Sequence, residues 1–131
     1  MNFKKHFAIS VILIAFFSFG IAGSLGTLPD GLIVSMKQGN AKETAKYFSS
    51  SIELDILGAE NVCSKVQAEQ IIKAFFEQHP VSNFTVIFEG GKDASQYAIG
   101  KLSTSKGTYR VNLLIKQQLV TQLRIEQDNG D

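Results

Sequence analysis

Two runs decide how this chain folds: Gln96-Tyr97-Ala98-Ile99-Gly100-Lys101-Leu102-Ser103-Thr104 and Thr108-Tyr109-Arg110-Val111-Asn112-Leu113-Leu114-Ile115-Lys116, with Ser105-Lys106-Gly107 between them. Apolar and polar residues alternate along each run, the period of a half-buried β-strand, and the break is the size of a hairpin turn. Working outward, Phe84 to Glu89 and Val120 to Gln127 have the same character, set off by Gly90-Gly91-Lys92-Asp93 and Gln117-Gln118. The C-terminal half of the chain is therefore expected to be a four-strand antiparallel meander.

One consistent apolar face sets its register. A tight turn at Lys106-Gly107 puts Leu102 opposite Val111, Gly100 opposite Leu113 and Ala98 opposite Ile115. A three-residue loop from Gln117 to Leu119 then sets Leu123 against Leu113 and Ile125 against Val111, and Phe84, Val86 and Phe88 meet Leu102, Gly100 and Ala98. Large residues meet small ones, as a face covered by helices requires. The other face receives Thr85, Glu89, Lys101, Ser103, Asn112, Arg124, and Arg110 across from Glu126. It also receives an apolar row, Ile87, Ile99 and Leu114 flanked by Tyr97, which marks a candidate association surface and a homodimer through the sheet face.

Upstream, the patterning turns helical. Leu28, Leu32, Ile33 and Met36 recur at helical spacing behind Pro29-Asp30, and Gly39-Asn40 ends the segment. Asn40 is placed to cap a short second helix, with Glu43 in capping-box position and Ala41, Ala45 and Phe48 on one side. Ile52, Leu54 and Ile56 then alternate with polar residues as a strand that Gly58 closes, and a polar loop follows. Ser64 caps a third helix with Gln67 in the reciprocal position. Its stripe is Val66, Ile71, Ile72, Phe75 and Phe76, and His79-Pro80 stops it, because a residue before proline avoids the helical region. The expected class is α+β, in the order α-α-β-α-β-β-β-β, with three helices laid on the curved antiparallel sheet.

The amino terminus is a separate unit. Lys4 and Lys5 precede an apolar run from Phe7 to Phe19 that is shorter than the roughly 20 residues of a spanning helix, and Gly20-Ile21-Ala22-Gly23-Ser24 is rich in small residues. This is the layout of a signal peptide over 1–22, cleaved after Ala22, leaving one domain over 23–131 that is periplasmic or secreted. Left uncleaved, the same segment would be the domain's one contact with the membrane. The single cysteine, Cys63, lies far from the apolar run, which excludes a lipoprotein acylation site, and a lone Cys forms no internal disulfide.

Composition narrows the function classes further. The 131 residues are 44% hydrophobic and 19% charged, the make-up of one ordinary globular domain. Lys plus Arg is 13 against 12 acidic residues, so the basic footprint of a nucleic-acid-binding protein is lacking. Loss of Lys4 and Lys5 with the signal takes the formal charge from +1 to −1. With His6 removed too, His79 has no second histidine at metal-ligand spacing, and neither a metal nor a cofactor is expected. Gly90-Gly91-Lys92-Asp93 lacks the spacing and the hydroxyl residue of a phosphate loop, and no serine sits in a nucleophile-elbow context. What remains are side chains able to line a cavity between helices and sheet: Tyr47, Phe76, His79 and Tyr109.

Several phrases carry a resemblance: Gly39-Asn40-Ala41-Lys42-Glu43 running to Lys46-Tyr47-Phe48, Ser64-Lys65 with Gln67-Ala68-Glu69-Gln70-Ile71, and Phe75-Phe76. Ser95 to Gly100, Ser105 to Val111 and Leu123-Arg124-Ile125-Glu126 continue it. Together they resemble DUF4783, a family of exported Bacteroidetes proteins with no assigned active site. The element order is similar to the nuclear transport factor two-like, or cystatin-like, cone shared with ketosteroid isomerase and polyketide cyclases. Two departures are Cys63, where the family pattern has an aromatic or polar residue, and a shortened hairpin at Gln117-Gln118.

In the isomerase branch of that fold a carboxylate base works beside a Tyr and a protonated Asp inside an apolar cone. Here Tyr109 is the one polar residue on the core-facing parity, and Glu53 and Asp55 lie on the polar parity of the first strand. The resemblance therefore implies a small exported binding or interaction domain without catalysis. The alternative is an isomerase- or cyclase-like enzyme acting on a small hydrophobic molecule in the cone.

Overall fold

The structure, a computed structural model, describes residues 28–130. The expected signal peptide over 1–22 and its cleavage after Ala22 lie outside the described residues.

Helix α1 (Asp30–Gln38) starts behind Pro29 with Asp30 in its first turn, where the carboxylate meets the positive end of the helix dipole. It ends on Gly39 in the left-handed region (φ 62°), whose N–H and that of Asn40 return to the carbonyls of Met36 and Ser35. A residue with a Cβ would be strained there. Asn40 caps α2 (Ala41–Ala45), its Oδ1 accepting the Glu43 N–H at 3.0 Å. The corner is locked by a buried hydroxyl pair, Thr44 Oγ1 lying 2.9 Å from Ser35 Oγ. Helix α3 (Lys65–Gln78) carries the full reciprocal cap of Ser64 and Gln67 and ends at His79. Its buried stripe is Ala68, Ile72, Phe75 and Phe76, whereas Val66, expected in that stripe, is 71% exposed.

Six strands form one sheet: β1 (Phe48–Ile56), β2 (Ala59–Ser64), β3 (Val81–Lys92), β4 (Ser95–Thr104), β5 (Gly107–Lys116) and β6 (Leu119–Gln127), in the order β2-β1-β6-β5-β4-β3. The segment expected to be a polar loop is in fact strand β2, so the order is α-α-β-β-α-β-β-β-β. Leu57-Gly58, both at positive φ, form the two-residue turn into it. Phe48, expected on the second helix, instead begins β1. The sheet is mixed, with β1 parallel to β6 and every other neighbouring pair antiparallel. Bulges between β1 and β6, β3 and β4, and β5 and β6 bend it.

Face parity is as expected except at Phe88 and Glu89, which a bulge exchanges, while register differs in three places. Strands β4 and β5 turn at Ser105-Lys106, so Leu102 meets Tyr109, Gly100 meets Val111 and Ala98 meets Leu113, a shift of two residues that keeps every side chain on its face. Thr104 Oγ1 fixes this turn by donating to the Gly107 carbonyl (2.8 Å) and accepting the Lys106 N–H (3.1 Å). The β5–β6 connection is a two-residue turn at Gln117-Gln118 followed by a bulge, which restores Leu113 opposite Leu123 and Val111 opposite Ile125. In β3, Phe84 and Val86 meet Leu102 and Gly100, but a bulge at Ile87 then sets Phe88 opposite Ile99 and Glu89 opposite Ala98.

The covered face holds the core. Phe48, Ile52, Leu54, Phe84, Leu102, Val111, Leu113, Leu123 and Ile125 are all 2% exposed or less, together with Leu32 and Met36 of α1 and Ile72 of α3. Each such large side chain contributes about 1.5–3 kcal/mol by leaving water. Helix α1 packs on β3, and α3 packs on α2 and β1.

Candidate functional site

On the uncovered face, the bulge at Ile87 has a direct chemical consequence. It turns both Ile87 and Phe88 outward, and they are 57% and 48% exposed. Tyr97, 46% exposed, pairs with Leu114 on β5, and Ile99 pairs with Phe88. The Phe88 and Tyr97 rings lean together with centroids 5.4 Å apart and planes inclined at 32°. They meet across Gly90, where a Cβ would stand 3.1 Å from Cε1 of each ring, so the missing side chain makes room for the pair. The sequence-predicted row of Ile87, Tyr97, Ile99 and Leu114 is thus contiguous, and Phe88 joins it. Adjacent apolar residues interrupting an alternating strand were the available sign of a bulge at Ile87-Phe88.

Toward β1 and β6 the same face becomes polar, with two ion pairs made within the chain and with Glu53 and Glu60 in no ion pair among the described residues. Arg124 Nε lies 3.2 Å from Asp55 Oδ2, whose other oxygen accepts the Gly58 N–H at 3.1 Å. Asn112 Nδ2 donates to Glu126 (3.4 Å), and Lys101 stands 3.9 Å from Asp128. Glu89 is not part of this face: the bulge rotates it to the other side, where its Oε1 accepts the Leu28 N–H at 3.3 Å and anchors the chain ahead of α1.

Between helices and sheet, three of the four candidate pocket residues gather around Phe75. The His79 ring stacks on Phe75 (centroids 4.1 Å, 16°), and Tyr109 meets Phe75 and His79 edge-on at 5.5 Å and 5.3 Å. Phe76 adds a further edge contact to Phe75 at 6.2 Å. His79 Nδ1 is 2.9 Å from the Phe75 carbonyl, which ties the ring to the last turn of α3. Tyr109 is 5% exposed. Tyr47 stands elsewhere, its hydroxyl filling the place of a side chain at Gly31 of α1. The room left by Gly100 on this face is occupied by the Phe84 ring. Glu53 and Asp55, the carboxylates weighed as a base, lie on the outer face, on the far side of the sheet from the aromatic cluster.

The architecture is that of the cystatin-like, nuclear transport factor two-like class. It is similar to a domain of unknown function with a cystatin-like fold from Nostoc punctiforme (10% identity, 76% of this chain and 72% of that one, TM-score 0.61). A polyketide-cyclase candidate from Sinorhizobium meliloti is likewise similar in fold (14% identity, 76% and 95% coverage, TM-score 0.60). Within that class the chain belongs to the family described as Domain of unknown function (DUF4783), which matches residues 29–127. A crystal structure of a DUF4783 protein from Bacteroides ovatus is 34% identical, covers 79% of this chain and 97% of its own, and superposes with a TM-score of 0.75. Comparison with curated proteins returned no match.

Proposed function

We propose that this protein is an exported, non-catalytic interaction domain that works through the outer face of its sheet, with a second copy as the partner. The observation that carries this is the outward Phe88–Tyr97 pair set among Ile87, Ile99 and Leu114. A bulge and a glycine are used to place two large rings in water, and large amphipathic aromatics are the residues that anchor interfaces. Six strands at about 4.8 Å spacing and some nine residues at about 3.3 Å give a face of roughly 800 Å², close to what each partner buries in a stable complex. Lys101 with Asp128 and Arg124 with Asp55 are paired within one chain, so covering those groups strands neither partner. Export rests on the composition of residues 1–24.

Sedimentation of the exported chain tests this. The wild type should run as a dimer, and the Phe88→Ser, Tyr97→Ser double variant as a monomer with unchanged circular dichroism. A wild-type monomer at every concentration contradicts it.

The other reading, a small hydrophobic molecule bound or converted in the cone, would draw on Phe76, His79 and Tyr109, with Tyr47 apart from them against Gly31. The likeness to the cyclase candidate concerns the fold alone, and Glu53 and Asp55 lie across the sheet from these aromatics, among which His79 is the one titratable imidazole of the described residues.

A further inference from the structure

We propose that the free edge of β2 takes up an extended, basic peptide as a seventh strand. This goes beyond the self-association above and does not rest on it, because β2 lies at the opposite end of the sheet from β3 and β4.

The two edges of the sheet are finished differently. Helix α1 runs along β3, with Leu28 hydrogen-bonded to Glu89 at one end and Gly39 against Val81 at the other. Among the described residues no strand pairs with the outer side of β2. Natural edge strands are commonly blunted by Pro, Lys or a bulge. Ala59-Glu60-Asn61-Val62-Cys63-Ser64 has neither residue, and its pairing with β1 is regular from end to end.

Which groups the edge offers follows from the turn. In a hairpin closed by two residues the flanking pair, here Ile56 and Ala59, exchanges both main-chain hydrogen bonds, and every second pair does the same. Ala59, Asn61 and Cys63 therefore bond to β1, and Glu60, Val62 and Ser64 turn their N–H and C=O outward. The phase is corroborated by Ser64, whose N–H donates to Gln67 Oε1 at 3.1 Å. Glu60 and Val62 are left with four main-chain groups directed at solvent, and the Val62 side chain is 74% exposed. Such a row recognises the backbone of an extended chain.

Charge selects which chain. Beside the edge, on the outer face, lies a cleft of about 270 Å³ lined by Glu53, Asp55, Glu60, Gln122 and Arg124 among others. Arg124 is engaged by Asp55, while Glu53 and Glu60 are exposed and have no ion pair or hydrogen bond from another side chain among the described residues. A strand added to β2 would project alternate side chains over this cleft. Lys or Arg at those positions would meet the two free carboxylates and lay their aliphatic stems on Val62, which shares that face, while the residues between them would turn to the other face beside Asn61 and Cys63.

The test titrates the full chain into fluorescein-labelled acetyl-Lys-Val-Lys-Val-Lys-Val-amide and follows anisotropy. Val62→Pro removes one outward N–H at an edge position that tolerates proline, and Glu53→Gln with Glu60→Gln removes the charge. Each should weaken binding about tenfold, as should N-methylation of alternate peptide residues. Sedimentation of Val62→Pro should match the wild type, which separates loss of this site from loss of self-association. No binding by the wild type overturns the proposal. So does a Val62→Pro variant that binds as tightly as the wild type, the mark of unspecific charge attraction, and so does binding that ignores Glu53 and Glu60.

Discussion

The ring of Phe84 occupies the space that a side chain at Gly100 would fill: a Cβ there would overlap Cε1 and Cζ of the ring. Phe84 is 1% exposed, so its ring has core neighbours on every side. Gly100 lets a large residue on β3 close the covered face against β4.

Gly100→Ala should therefore destabilise by about 1–3 kcal/mol, the usual cost of overpacking a filled core. Urea denaturation would show this as a lower midpoint with an unchanged slope. A variant as stable as the wild type would mean that a void next to Phe84 absorbs the methyl group.

The β5–β6 turn stores strain. Gln117 and Gln118 sit at φ 51° and 69°, and left-handed backbone costs an L-residue about 1–2 kcal/mol. Asn-Gly is the pair that such a turn favours. Gln117→Asn with Gln118→Gly should gain about 1 kcal/mol, the unfolded-state freedom of glycine offsetting part of the relief, and raise the melting temperature by about 4–8 °C. Calorimetry checks both the sign and the size.

Cys63 should be a sluggish nucleophile. It is half-buried on β2 with its thiol toward the Ile52 carbonyl (3.9 Å), and burial pushes its pKa up. A raised pKa means less thiolate at pH 8, and the thiolate is the reactive form. Alkylation by iodoacetamide at pH 8 should be slower than that of an unstructured peptide thiol and should climb with pH beyond the range where a free thiol has levelled off. A rate equal to the free thiol's contradicts this.

Much of this fold is written in the alternation of the chain, because a period of two assigns each strand residue to a face whatever the register. That is why the row of Ile87, Tyr97, Ile99 and Leu114 could be read directly, and why a shift of two residues between β4 and β5 left the core intact. Strand β2 was hidden for a physical reason. An edge strand buries little, and the exposed Val62 beside half-buried Cys63 gives no apolar alternation to detect. The outward turn of Phe88 left only the broken alternation of Val86-Ile87-Phe88 as a sign, since a strictly alternating reading places it inside and the bulge at Ile87 moves it. Among the candidate pocket residues, helical spacing brought Phe76 and His79 near Phe75, but sequence does not reveal that Tyr47 packs on Gly31 instead.

The central claim, that the outer face rather than the interior is the working surface, is tested most directly by isotope-filtered nuclear Overhauser spectroscopy on a mixture of ¹³C-labelled and unlabelled chains. Contacts between copies should appear at Ile87, Phe88, Tyr97, Ile99 and Leu114 and be lost in the Phe88→Ser, Tyr97→Ser variant. An absence of contacts between copies, or contacts from Tyr109 and His79 to a co-purified small molecule, would contradict the account and return attention to the cone.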